Sequence, residues 1–110
     1  MKKEYRVKRN IDFQAIIKKK KSVASKHFVI YSSRNDLDHY RVGISVSKKL
    51  GKAVQRNKIK RQVRSMVKEV FDEDQSRDYV VIVRNHYLNK TFDENKQDLM
   101  KLHNKILSNR

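Results

Sequence analysis

The run Arg56-Asn57-Lys58-Ile59-Lys60-Arg61-Gln62-Val63-Arg64, beginning five residues after Gly51, holds the side chains best suited to chemistry in this sequence. That chemistry is the holding of an anionic polymer. At ~100° per residue on a helix, Ile59, Val63, Met66, Val67 and Val70 share one side, while Asn57, Arg61, Arg64 and Lys68 stack on the other. Arg and Lys at one-turn intervals match the charge spacing of a nucleic-acid backbone, and an Asn among them both donates and accepts hydrogen bonds. An ordinary solvated helix face mixes signs. Between residues 56 and 68 there is no carboxylate, so the cations repel one another unless something anionic binds them. A docking face for folded RNA is the reading this pattern supports.

Other chemistry finds little to work with. A metal nuclease needs converging carboxylates, and the densest group is Asp72, Glu73, Asp74 and Asp78, which reads as a turn at a helix C-terminus. His27, His39, His86 and His103 lack metal-ligand or acid-base spacing and are expected at strand edges or on helix surfaces. Without Cys there is no disulfide, thiolate metal site or cysteine nucleophile. The only glycines are Gly43 and Gly51, too few for a phosphate-cradling loop. No catalytic or metal-ligating residue is expected in the protein itself.

The elements that position the rail follow from length and pattern. At 110 residues the chain is expected to be one domain over 1–110, with a modest core because 36% of its residues are charged. The net charge is uneven. Residues 1–71 hold 21 Lys and Arg against 5 Asp and Glu, whereas residues 72–110 hold 7 against 7, which places the whole +16 in the first two-thirds. Solubility alone gives no reason to segregate charge; one polyanion-binding surface does. The basic start lacks the apolar stretch of a secretion signal, and the longest apolar run, Tyr79-Val80-Val81-Ile82-Val83, is too short for a membrane span. No membrane partner is expected, and a reducing cytoplasm fits.

Asn10 is placed to cap a short helix carrying Phe13, Ile16 and Ile17, ending near Lys18-Lys19-Lys20-Lys21. Residues 27–32 and 40–47 read as strands joined by a turn, expected to form an antiparallel pair. In the second, Val42, Ile44 and Val46 point one way and Arg41, Gly43, Ser45 and Ser47 the other. The small face is suited to form a groove floor beside Val29 and Tyr31. A cationic connection, Lys48, Lys49 and Lys52 included, leads into a helix expected from 56 to about 71. Residues 78–85 supply another strand, and strand, helix, strand implies a crossover with parallel pairing. Thr91-Phe92-Asp93-Glu94 has the form of a capping box for a last helix with Leu99, Leu102 and Ile106 inward.

This order, with Arg41-Val42-Gly43-Ile44-Ser45-Val46-Ser47-Lys48-Lys49 leading through Gly51 to the Arg-Asn-rich run, resembles the bacterial ribonuclease P protein component over essentially the whole chain. The resemblance implies an α+β sandwich: a roughly four-stranded mixed sheet, three helices, and a left-handed crossover carrying the cationic helix, against the usual hand. It also implies a protein subunit that binds a catalytic RNA and the 5′ leader of precursor transfer RNA, the chemistry being done by the RNA with Mg2+. Carried over by position, Lys48, Lys49, Lys52, Arg56, Asn57, Lys60, Arg61, Arg64 and Lys68 face the catalytic RNA. Phe13, Ile17 and Tyr31, with Arg6 and Lys8, line the leader cleft. Ile17 stands where the family commonly has an aromatic, which keeps apolar contact but not base stacking. Lys20 stands where a Gly often follows the first helix. No obligate protein partner is implied.

Two other readings use the same cations. A ribosomal or other structured-RNA binding protein would need no single-strand platform around Phe13 and Tyr31. A DNA-compacting protein would bind any duplex in a salt-sensitive way.

Overall fold

The computed structural model describes residues 5–7, 10–19, 21–72 and 75–108. Along these residues run α1 (Asn10–Lys18), β1 (Ser22–Ala24), β2 (Phe28–Arg34), β3 (Arg41–Val46), α2 (Ala53–Val70), β4 (Arg77–Val83) and α3 (Phe92–Ser108), with 3-10 turns at Lys48–Leu50 and Asn85–Asn89. The fold is α+β: three helices and one four-stranded mixed sheet in the order β1-β2-β4-β3.

That order corrects the expected pairing of residues 27–32 with 40–47. β2 and β3 are not neighbours, because β4 lies between them, antiparallel to β2 (Phe28↔Val83) and parallel to β3 (Val46↔Val83). The reason is burial. Tyr79, Val80, Val81 and Val83 are all buried, so β4 has apolar residues for both faces and belongs in the middle, whereas β3 offers Gly43 and Ser45 on one face. Parallel β3 and β4 need a crossover, and α2 supplies it. The turn from β2 to β3 arches over the start of β4, where Asn35 Nδ2 donates to His39 O (3.2 Å) and to Asp78 Oδ1 (2.8 Å). The fourth strand, absent from the element order read off the sequence, is the three-residue β1 at the β2 edge.

One sheet face carries the main core. Phe28, Ile30, Val42, Tyr79, Val81 and Val83 pack beneath Ile59, Val63, Met66 and Val67 of α2 and Leu99, Leu102 and Ile106 of α3. The capping box forms reciprocally: Glu94 N donates to Thr91 Oγ1 (3.1 Å), and Thr91 N donates to Glu94 Oε1 (3.0 Å). The hydrogen bonds from Thr91 hold the Glu94 carboxyl below its ordinary range. α2 begins three residues ahead of the expected position 56, at Ala53, with Lys52 at its N-cap and no side-chain hydrogen bond there.

His103 is a further correction. Expected on a surface, it is 2% exposed and stacked on Phe71 with ring centroids 4.2 Å apart. Neither ring nitrogen has a hydrogen-bond partner, nor does the neighbouring Tyr79 hydroxyl. Burial lowers the His103 pKa and pushes the Tyr79 phenol up to about 12.

Candidate nucleic-acid interface

The second sheet face is only half covered. Strand register sets Tyr31 beside Val80 and Val80 beside Gly43, a row of aromatic, aliphatic and bare backbone across β2, β4 and β3. α1 lies over this face. Val7, Ile16 and Val80 are buried there, while Phe13, Ile17, Tyr31 and Ile82 are left partly open. Phe13 rests on Gly43: a Cβ at that position would stand 2.3 Å from Phe13 Cζ, so any larger residue would displace the ring. The predicted residues Phe13, Ile17 and Tyr31 are thus brought together. Gly43 lies on the small face expected to floor a groove, while Val80, which completes that floor, was not singled out from sequence.

The same face ends in a polar row. Arg41 Nε donates to Asp78 Oδ1 (2.9 Å) and Nη2 to Oδ2 (2.6 Å), and this hydrogen bonding raises the Arg41 pKa against the effect of burial. Asp78 is therefore no turn carboxylate: it is the second residue of β4, buried and fully engaged. Asp72 is exposed, and Glu73 and Asp74 lie outside the described residues. Among the described residues no group of three or more His, Asp or Glu side chains is placed to hold a metal ion.

β3 has a free edge, and the N-terminal segment occupies it. Arg6 bridges Val42 in parallel, and Val7 N donates to Val42 O (3.0 Å). This seats Arg6 on the β3 edge, next in sequence to Val7, which is buried on the cleft face. Arg6 Nε is buried without a hydrogen-bond partner, and the Arg6 charge, after burial, lowers the pKa of Arg64. Lys8, expected beside Arg6, lies outside the described residues, as does Lys20.

On α2 the cations form two rows. Asn57, Arg61 and Lys68 make an exposed crest, and Arg56, Lys60 and Arg64, at four-residue spacing, a half-buried shoulder whose Arg64 feels the charge of Arg6, while Lys58 stands exposed apart from both. Arg56 Nε is likewise buried and unpartnered. Lys48 and Lys49 stand exposed on the turn that Ser47 caps, and Lys52 on the approach to the helix. Among the described residues the two ion pairs are Arg41–Asp78 and Lys96–Glu69, neither involving a rail cation. None of the helices described is long and apolar enough to cross a membrane.

Known proteins share this sequence and this architecture. A family model for Ribonuclease P matches residues 1–107. The ribonuclease P protein component of Streptococcus pyogenes (serotype M5) is 48% identical over 99 residues, covering 90% of this chain and 83% of the relative. That of Mesoplasma florum is 46% identical over 104 residues, covering 93% and 94%. The solved structure of the Staphylococcus aureus RNase P protein superposes with a TM-score of 0.84 at 44% identity, covering 93% of this chain and 94% of that one. With family match, sequence identity and superposition agreeing along nearly its whole length, the chain belongs to the ribonuclease P protein component family.

Proposed function

We propose that residues 1–110 act as one RNA-binding domain with two working surfaces. As the protein component of ribonuclease P, the chain serves the ribonucleoprotein that matures transfer RNA 5′ ends. In this reading Lys48, Lys49, Lys52, Arg56, Asn57, Lys60, Arg61, Arg64 and Lys68 hold the catalytic RNA. The cleft of Phe13, Ile17 and Tyr31, with Arg6 at its rim and Lys8 near it in sequence, holds the single-stranded leader of precursor transfer RNA. The supporting observation is the placing of Arg6 on the β3 edge, near enough to α2 for its charge to lower the Arg64 pKa, while neither guanidinium takes part in an ion pair among the described residues. A phosphate backbone passing from cleft to rail relieves that repulsion.

Magnesium and bond cleavage belong to the RNA in this reading, and the protein contributes positioning and charge in the cytoplasm. Protein alone is expected to leave precursor transfer RNA uncut, while protein added to the RNA lowers its magnesium demand. The decisive comparison is Tyr31→Ala. It should weaken binding of leader-bearing substrate by about 1–3 kcal/mol, the worth of one stacked base, with little change for mature transfer RNA. Equal losses for both substrates would remove the leader from the cleft.

A further inference from the structure

We propose that the flank of α2 facing away from Arg6 carries a pocket for one unstacked base of the catalytic RNA, an inference that rests on the reading above. A groove of about 650 Å³ runs between the start of α2 and the 3-10 turn Asn85–Asn89. Val54, 83% exposed, and Leu88, 46% exposed, stand on its walls, while Ile59 and Tyr87 lie buried beneath it. Isolated surface aliphatics are commonplace, but these two flank one concavity.

The groove's charge names the chemistry of its occupant. Lys52, Lys58 and Lys90 line it, no carboxylate does, and none of these lysines is ion-paired. A bare anion would satisfy the lysines and leave the aliphatic walls wet; an apolar peptide would do the reverse. A nucleotide carries a phosphate for the one and a flat apolar ring for the other. The groove also presents a directed donor. Tyr87 Oη donates to Gln62 Oε1 (2.8 Å), which occupies the Gln62 carbonyl and leaves its amide NH2 to donate to an acceptor on a base edge. Paired duplex keeps its bases stacked inside, so the site selects a loop or bulge nucleotide.

The chain has no cysteine, so Leu88→Cys creates a single attachment point for a benzophenone photocrosslinker. The assembly tested is the full chain with the RNA that copurifies with it. Crosslinks concentrated on one unpaired nucleotide of that RNA are expected. The double variant Val54→Ser with Leu88→Ser should bind the same RNA on the order of tenfold more weakly, with an unchanged salt slope because no cation is removed. Both positions are exposed, so its melting temperature should match the wild type and show that a loss of affinity is not a loss of fold. Crosslinks spread over paired nucleotides, confined to precursor transfer RNA or captured by an acidic protein would overturn the proposal, as would wild-type affinity in the double variant. Arg61→Ala with Arg64→Ala separates the two levels. If that variant alone loses affinity, the pocket fails and the rail stands; if neither does, the reading of α2 as the RNA-binding surface fails first.

Discussion

Arg41 and Arg64 sit about the same depth in the molecule and are treated in opposite ways. Arg41, at the end of the cleft face, is clasped by a buried carboxylate and its pKa is raised. Arg64, on the shoulder of α2, is set near Arg6 and its pKa is lowered by burial and that neighbouring charge. A guanidinium that must hold two strands together is given an internal partner. One proposed to meet a polyanion is left without, because an internal carboxylate would have to be displaced, with its own desolvation, before phosphate could bind. The same contrast divides the charge of the chain: the neutral stretch 72–110 supplies Asp78 and Lys96, one partner of each ion pair among the described residues.

The largest effect should come from breaking the paired arginine. Asp78→Asn leaves Arg41 facing a neutral amide in a site that is 10% exposed on the carboxylate side, and should cost about 3 kcal/mol, near the low end for a buried pair because Arg41 is partly solvated. Urea denaturation measures it; a midpoint equal to wild type would mean the pair contributes nothing. Next in size is the unpaired side. Arg61→Ala with Arg64→Ala should leave urea stability equal or improved, yet reduce affinity for the catalytic RNA roughly a hundredfold, at about 1.5 kcal/mol per charge-assisted contact. Its salt slope should fall by about 1.4 to 1.8, two phosphate contacts' worth. Filter binding across a salt series reads both, and an unchanged slope would show that these cations do not meet phosphate.

A smaller test sets the uncapped α2 against the capped α3. Lys52→Ser supplies an N-cap and should stabilise the fold by about 1 kcal/mol while weakening RNA binding; Thr91→Ala should cost about 1 kcal/mol and leave RNA binding alone. Thermal melts paired with binding isotherms check the reciprocity. The smallest effect belongs to His103. Its folded pKa lies below the ordinary 6.5, so the unfolded chain binds the extra proton first, and stability is complete above about pH 6.5 and declines as pH falls below it. His103→Phe keeps the stack on Phe71 and should flatten that decline. An equal slope in both proteins would place the titration elsewhere.

Much of this was legible in the residues. The Thr91 capping box, the inner stripe of α3 and the two sides of α2 are local patterns whose periods survive in the fold. His103 follows Leu99 by four positions and so belongs to that inner stripe, a signal overridden by the habit of placing histidines outside. The β2–β3 pairing misled because sequence neighbours usually pair, although the run from Tyr79 to Val83, apolar on both faces, already marked a central strand. The seat of Phe13 on Gly43 joins positions thirty residues apart, and nothing in the spacing of either announces the other.

The central place of β4 also fixes when the sheet comes into being. β1 and β2 can form a hairpin early, but β3 has no strand to lie against until residues 77–83 exist, and each β4 pairing with β2 or β3 spans 37 to 55 positions. On the ribosome, therefore, all +16 of net charge in residues 1–71 emerges before the strand that closes the core. For that interval the nascent chain is a basic polymer beside ribosomal RNA, and completion of β4 turns a nonspecific polycation into a shaped surface.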